Sequence, residues 1–182
     1  IEAAVALAFE PVKINVVLTA ALSRSDVMQL QALVMRLPMI VRFIEYMPIG
    51  RQGIAPGLSV AQVKALLEAA GGALLPDAPI LGAGPARNYR LAGAAGAIGF
   101  ITPMSDRFCP ACNRLRLTAD GRLKPCLLSD AEINVREYLR AGADDDTLAA
   151  LLQAAVRAKP QGHRLTAAYD RGFERQMCQI GG

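Results

Sequence analysis

Three of the four cysteines fall in one short segment, Cys109-Pro-Ala-Cys112 and then, after thirteen residues, Cys126; no other feature restricts the possible folds as tightly. A Cys-x2-Cys step lets two thiolates approach one metal centre. The return to Cys126 is long enough for a two-stranded hairpin that brings back a third sulfur. Thiolates select zinc, copper(I) or iron-sulfur clusters over hard cations. A closed structural zinc site takes four protein ligands, so the segment is one short, and the fourth comes from elsewhere in the chain or from a substrate. Cys178 and the single histidine, His163, are the outside candidates. By spacing alone, a structural zinc ribbon and a cluster with one open iron both remain admissible.

The residues after Cys112 bear on that choice. Arg114 and Arg116 alternate with Leu115 and Leu117, so on a strand both guanidiniums project from one face while the leucines pack behind. Two forks aimed the same way beside an open metal site suit a polyanion such as a triphosphate. The plainer reading is a solvated strand edge.

Composition narrows the class. With 182 residues and 53% hydrophobic content the chain can bury one sizeable core and carry a small appendage. Its net charge of +4 comes from scattered arginines, and aromatic residues are only 5%, which fits local anion binding and speaks against nucleic acid. No apolar run approaches the ~18 residues a membrane span needs. The cysteine pair lies among basic residues with no signal peptide ahead of it, so the expectation is reduced, metal-bound thiols in the cytoplasm.

Periodicity divides the chain into two grammars. The opening reads as the inside of a folded element without a start methionine, and the expectation is that further residues precede it. Residues 11–18 form a β-branched run that reads as a buried parallel strand. Ser25 and Asp26 offer N-cap chemistry for a helix through about Leu37, with Val27, Leu30, Leu33 and Val34 on one stripe. A second strand is expected over Val41 to Met47, then a helix from Ser59 to the Gly71-Gly72 stop. This alternation is the signature of a parallel sheet or α/β barrel. After Gly72 come short strands at 88–91, 97–102, 114–118 and 122–124, with Asp120-Gly121 as a hairpin turn, predicting a small antiparallel sheet that carries the cysteine hairpin. Helices follow from Asn134 to about Ala141 and from Asp144-Asp145-Asp146 to about Arg157.

Polar residues inside the two strands need partners. Lys13 and Asn15 share a face opposite Val12, Ile14 and Val16, and in a barrel that polar face points inward toward a ligand; Arg42, Ile44 and Tyr46 share a face of the next strand. Glu45 and Met47 lie at the C-terminal end of that strand, where barrel sites are built. Salt bridges to local carboxylates, and core packing for Met47, are the plain alternatives.

The strings PVKINVVL, RFIEYMPIG, ITPMSDRFCPACNRLRLTADGRLKPCL and the terminal QIGG closely resemble the C-terminal half of the GTP 3',8-cyclases, a radical S-adenosylmethionine family of molybdenum cofactor biosynthesis. The resemblance covers essentially the whole chain. It implies an α/β fold: the last βα units of an incomplete TIM barrel over 1–72, then a C-terminal GTP-binding region over 73–182, a small antiparallel sheet and helices carrying an iron-sulfur hairpin. Implied ligands of a 4Fe-4S cluster with one iron free for guanine are Cys109, Cys112 and Cys126. Implied GTP contacts are Lys13, Arg42, Arg114, Leu115 and Arg116, and Met47 is the implied S-adenosylmethionine contact. The reaction implied is abstraction of the ribose 3' hydrogen by a 5'-deoxyadenosyl radical and attack on guanine C8, giving 3',8-cyclo-7,8-dihydro-GTP.

One departure matters: the Cys-x3-Cys-x2-Cys that would hold a second, N-terminal 4Fe-4S cluster and cleave S-adenosylmethionine is absent, so this chain alone is expected to be inactive. The electron donor is unspecified, and a homodimer is admitted without being required. Cys178, in a tail context, is expected to be a free thiol, and His163, in a polar loop, an exposed residue without a role. The Gly181-Gly182 end is expected to enter the substrate pocket, where any Cβ would clash, with Arg175 as its anchor. The competing class is a non-catalytic zinc or iron-sulfur module closed by Cys178 or His163; a radical-enzyme relative with another substrate is the third reading.

Overall fold

The computed structural model describes residues 1–49, 55–77, 84–163, 165 and 175–180. The chain divides into two compact units, one of residues 1–47 with 54–106, the other of residues 48–53 with 107–182.

In the first unit a short helix α1 (Glu2–Ala6) precedes β1 (Val12–Val17), α2 (Arg24–Arg36), β2 (Met39–Ile44), α3 (Val60–Gly71), β3 (Leu75–Pro76), β4 (Arg87–Arg90) and β5 (Ala97–Ile101). The strands form one sheet in the order β1-β2-β5-β4-β3. The first three are parallel, with Ile14 opposite Val41 and Val41 opposite Ile98, and β4 and β3 run antiparallel. Strands at 88–91 and 97–102, expected in the small antiparallel sheet, therefore complete the first one. Short apolar strands carry no local signal of their partner, and β5 is drawn to β2 because Ile98 and Phe100 complete the layer of Val41 and Phe43.

That layer is the core. Val27 and Val34 of α2 and Val63 and Leu67 of α3 close over it, and Phe43 stacks on Phe100 at 5.8 Å between ring centroids. Ser59 caps α3 in a capping box with Gln62, and Gly72 ends it at φ 80°, as the sequence predicts. The cap of α2 is Ser23 instead of the expected Ser25 and Asp26: the Ser23 hydroxyl accepts from the Asp26 N–H at 3.1 Å, and Asp26 closes the box from the third helical position. β2 begins at Met39 and ends at Ile44, so Glu45, Tyr46 and Met47 follow the strand.

The second unit holds β6 (Arg116–Leu117), β7 (Arg122–Lys124), β8 (Ile133–Asn134), α4 (Val135–Arg140) and α5 (Asp145–Arg157). Its strands form an antiparallel sheet in chain order. α4 and α5 begin where the sequence predicts, and Asn134 and Asp144 are their caps. The molecule is thus a mixed α/β chain with a five-stranded mixed sheet and a small antiparallel one. No helix among the described residues is long and apolar enough to cross a membrane.

Leu67 is fully buried at the centre of the α3 interface. Leu67→Ala should lower stability by about 2–5 kcal/mol through lost transfer energy and a cavity, read as a reduced urea midpoint. A loss within about 1 kcal/mol would show that the first unit is not organised around this layer.

Candidate functional site

The cysteine segment is shaped by two tight turns. A 3-10 turn at Cys109–Ala111, with Pro110 at its start, brings the Cys112 N–H to the Cys109 carbonyl at 3.1 Å. The β6–β7 hairpin then returns the chain to Cys126. At its tip Gly121 has φ +79°, and a Cβ there would press on Arg136 Cβ at 2.6 Å, so only glycine fits. Asp120-Gly121 is the turn the sequence predicts, but the ladder before it covers only Arg116 and Leu117 of the expected 114–118.

All four cysteines are free; Cys109, Cys112 and Cys126 are half-buried and Cys178 is exposed. Burial pushes the Cys126 thiol up, the Leu128 backbone pulls it down, the charged forms of Cys109 and Cys112 push it further up, and Lys159 opposes them. Cys109 and Cys112 thus both act on Cys126. Among the described residues no three His, Cys, Asp or Glu side chains are grouped so as to hold a metal ion. Cys178 Sγ is 3.9 Å from Gln176 Oε1. His163 is only 5% exposed, which corrects the reading of it as a surface residue; its carbonyl accepts from Arg107 Nη1 at 3.2 Å.

Sequence reasoning missed Lys159, just beyond the end of α5. Its ammonium donates to the Arg114 carbonyl at 2.6 Å and the Pro125 carbonyl at 3.1 Å, and lies 3.7 Å from Cys112 Sγ. A single lysine after a helix carries no local signal of such a role.

Beside the hairpin, Arg114, Leu115, Arg116, Leu117 and Ile180 line an open pocket of ≈ 360 Å³. Arg114 is exposed and Arg116 half-buried. Burial lowers the Arg116 pKa, the neighbouring Arg114 charge lowers it further, and Cys112 and Cys126 act to raise it. Arg116 Nη1 reaches the Ile180 carbonyl at 3.5 Å. The expectation that both leucines pack behind the arginines fails for Leu117, which is 64% exposed at the strand's end.

The segment leading to Ile180 is tied to the hairpin by charge. Arg175 donates to both Asp120 oxygens, at 3.2 and 2.8 Å, and its Nε stands 2.6 Å from Glu132 Oε1. Glu132 also pairs with the Lys124 ammonium at 3.2 Å. Arg175 is thus an anchor of the described tail, whereas Gly181 and Gly182 lie outside the described residues. Asp120 was legible only as a turn residue, because its partner is fifty-five positions away.

In the first unit, Val12, Ile14 and Val16 pack on the core, leaving Lys13 and Asn15 on the opposite face of β1. Asn15, Arg42, Gly99 and Asn88 form one row across β1, β2, β5 and β4. Arg42 Nε and Asn88 Oδ1 are buried without a partner among the described residues. Among the described residues neither Lys13 nor Arg42 makes the alternative salt bridge. Met47 is half-buried beyond β2. Glu45 closes the turn after β5, accepting from the Met104 and Ser105 N–H groups at 2.7 and 2.9 Å.

Comparison with known proteins agrees across the chain. The Molybdenum Cofactor Synthesis C family matches residues 39–165. A GTP 3',8-cyclase of Heliobacterium modesticaldum is 46% identical over the whole chain, which covers 57% of that relative. GTP 3',8-cyclases of Pelotomaculum thermopropionicum and Moorella thermoacetica are 44% and 42% identical, again over the whole chain and 56% of each relative. The chain thus spans little more than half the length of these relatives.

Asp120 is held well below its ordinary 3.8, first by hydrogen bonding from Arg175 and then from Thr118. Burial pushes Glu132 up, but hydrogen bonds from Arg175 and Lys124 outweigh it and leave it below its ordinary 4.5. Both depressed carboxylates contribute stability that is complete above these ordinary values and lost as pH falls through the folded ones. The Arg175 Nε–H resonance should therefore report a held tail at neutral pH and release only in strong acid. Asp120→Asn should move that release upward, toward the range Glu132 sets. Release of the unaltered protein already at about pH 5 would mean another group controls the tail.

Proposed function

The chain belongs to the GTP 3',8-cyclase family, and on that premise we propose that it is the GTP-binding C-terminal part of an enzyme that converts GTP to 3',8-cyclo-7,8-dihydro-GTP in molybdenum cofactor biosynthesis. The observation that carries this reading is the three-thiol segment joined directly to a pocket lined by Arg114 and Arg116. Cys109, Cys112 and Cys126 would hold a 4Fe-4S cluster. Three half-buried free thiols on one short segment are a suitable donor set, because a cubane distributes its thiolates over separate irons and needs no single-ion polyhedron. When bound, the cluster supplies an open iron able to take a purine nitrogen or oxygen.

This chain's own residues bind and orient. The Arg114 and Arg116 guanidiniums neutralise the triphosphate and fix its direction without covalent chemistry. Lys13 and Arg42 offer further cations to the substrate on the polar face of the first sheet, whose parallel strands are the last units of a barrel. Arg42 is well suited to this, since its buried Nε has no partner among the described residues. Met47 contacts S-adenosylmethionine beyond the C-terminal end of β2. The Gly181-Gly182 end, which follows the Arg175 anchor in the chain, would complete the pocket. The radical source, S-adenosylmethionine on a second, N-terminal 4Fe-4S cluster, and the electron donor belong to the whole cytoplasmic enzyme.

Two measurements test the assignment. In anaerobically purified full-length protein, Cys109→Ala, Cys112→Ala and Cys126→Ala should each lose one cluster's worth of iron, and Cys178→Ala none. One zinc and no colour in place of that iron would support the non-catalytic module instead. Arg114→Ala or Arg116→Ala should weaken GTP binding by about 1.5–3 kcal/mol with iron retained and guanosine binding unchanged. Equal losses for GTP and guanosine would place the pair outside any phosphate site.

A further inference from the structure

We infer that Lys159 is a positioning residue of the cysteine site: its ammonium ties together the two flanks of the hairpin that carry Cys112 and Cys126 and directs an N–H at the Cys112 sulfur. This rests on the reading of those cysteines as cluster ligands. An ammonium has three N–H donors, and here it meets three acceptors: the Arg114 carbonyl at 2.6 Å, the Pro125 carbonyl at 3.1 Å and Cys112 Sγ at 3.7 Å. Arg114 lies two residues after Cys112, and Pro125 immediately before Cys126. Both carbonyls belong to chain flanking a ligand, so the lysine sets the spacing between the third cysteine and the Cys-x2-Cys pair.

A staple alone would be complete with the two carbonyls. The sulfur contact adds a second consequence: a positive N–H donor stabilises electron density on a ligating thiolate, and hydrogen bonds to ligand sulfur tune a cluster's reduction potential. The position is supported from behind. Lys159 follows the α5 C-cap Ala158, its own N–H bonded to the Val156 carbonyl at 3.2 Å, and Ala155 anchors that helix in full burial. Arg116, the other cation near the sulfurs, is engaged with the Ile180 carbonyl and lines the pocket, so the two cations have separate tasks.

The experiment uses full-length, anaerobically reconstituted protein: the unaltered form, Lys159→Met, Lys159→Arg, and Cys112→Ala as the reference for loss of this cluster. Lys159→Met should surrender the Cys112-dependent iron to a chelator with an affinity about 10- to 100-fold weaker, the usual cost of removing a partner of a metal ligand. The potential of that cluster should fall. Lys159→Arg, which keeps the charge and the donors, should restore the potential and part of the retention. Thermal unfolding of each variant separates these effects from simple loss of fold. If Lys159→Met folds with retention and potential unchanged, the inference is wrong. If it loses thermal stability while its cluster keeps the original potential, or if Lys159→Arg does not recover it, the residue is only a staple and the inference again fails. Equal iron in the unaltered protein and Cys112→Ala would overturn the ligand reading itself, and the inference with it.

Discussion

The Lys124 side chain is buried, and an ammonium can stay there only because Glu132 stands against it at 3.2 Å. Much of the second unit follows from that pair. Lys124 is the last residue of β7 and Glu132 immediately precedes β8, so their attraction reinforces the register in which Leu123 faces Ile133. The other Glu132 oxygen accepts from Arg175 at 3.0 Å, and Arg175 also grips Asp120 at the hairpin tip. One buried charge thus links two strands, a turn and the approach to Ile180. Removing one partner from a buried pair typically costs about 3–5 kcal/mol, because the survivor is left uncompensated. A surface lysine at position 124 would impose no such order.

How much of this was legible depended on sequence distance. The β1 strand, the Ser59 cap and Gly72 stop of α3, the Asp120-Gly121 turn and the starts of α4 and α5 are written in a few adjacent residues, and each is present. Sheet membership is not written locally: Ala97–Ile101 could pair with any exposed edge, and only the packing of Ile98 and Phe100 in the first core assigns it to β2. The α2 cap was misplaced by two residues because Ser23, Ser25 and Asp26 are chemically similar, and the extended backbone of Ser23 decides among them. His163 was misread because its surroundings are polar in sequence yet buried in space.

The candidate site divides along the same line. Cysteine spacing and the Arg-Leu-Arg alternation are short-range patterns, and they single out Cys109, Cys112, Cys126, Arg114 and Arg116 as candidates. Lys159 reaches back forty-seven positions to Cys112. Nothing around it distinguishes a lysine that bridges two carbonyls and a sulfur from one that ends a helix in water. Long-range partners of a site become visible only when donors and acceptors are counted in three dimensions.

Electrostatics also bears on which part of a nucleotide the pocket would favour. Arg114 and Arg116 lie close enough that the first weakens the second's hold on its proton, and burial adds to the effect. Cys112 and Cys126 offset part of this when charged, but a thiolate that ligates iron shares its negative charge with the metal and offsets less. Two like charges at the mouth of one pocket are then a standing cost. A neutral purine relieves none of it. A phosphate chain relieves it directly and can accept from both guanidiniums at once. On the proposed function, the arginine pair would therefore take the triphosphate end of the nucleotide and leave the base to the cysteine site.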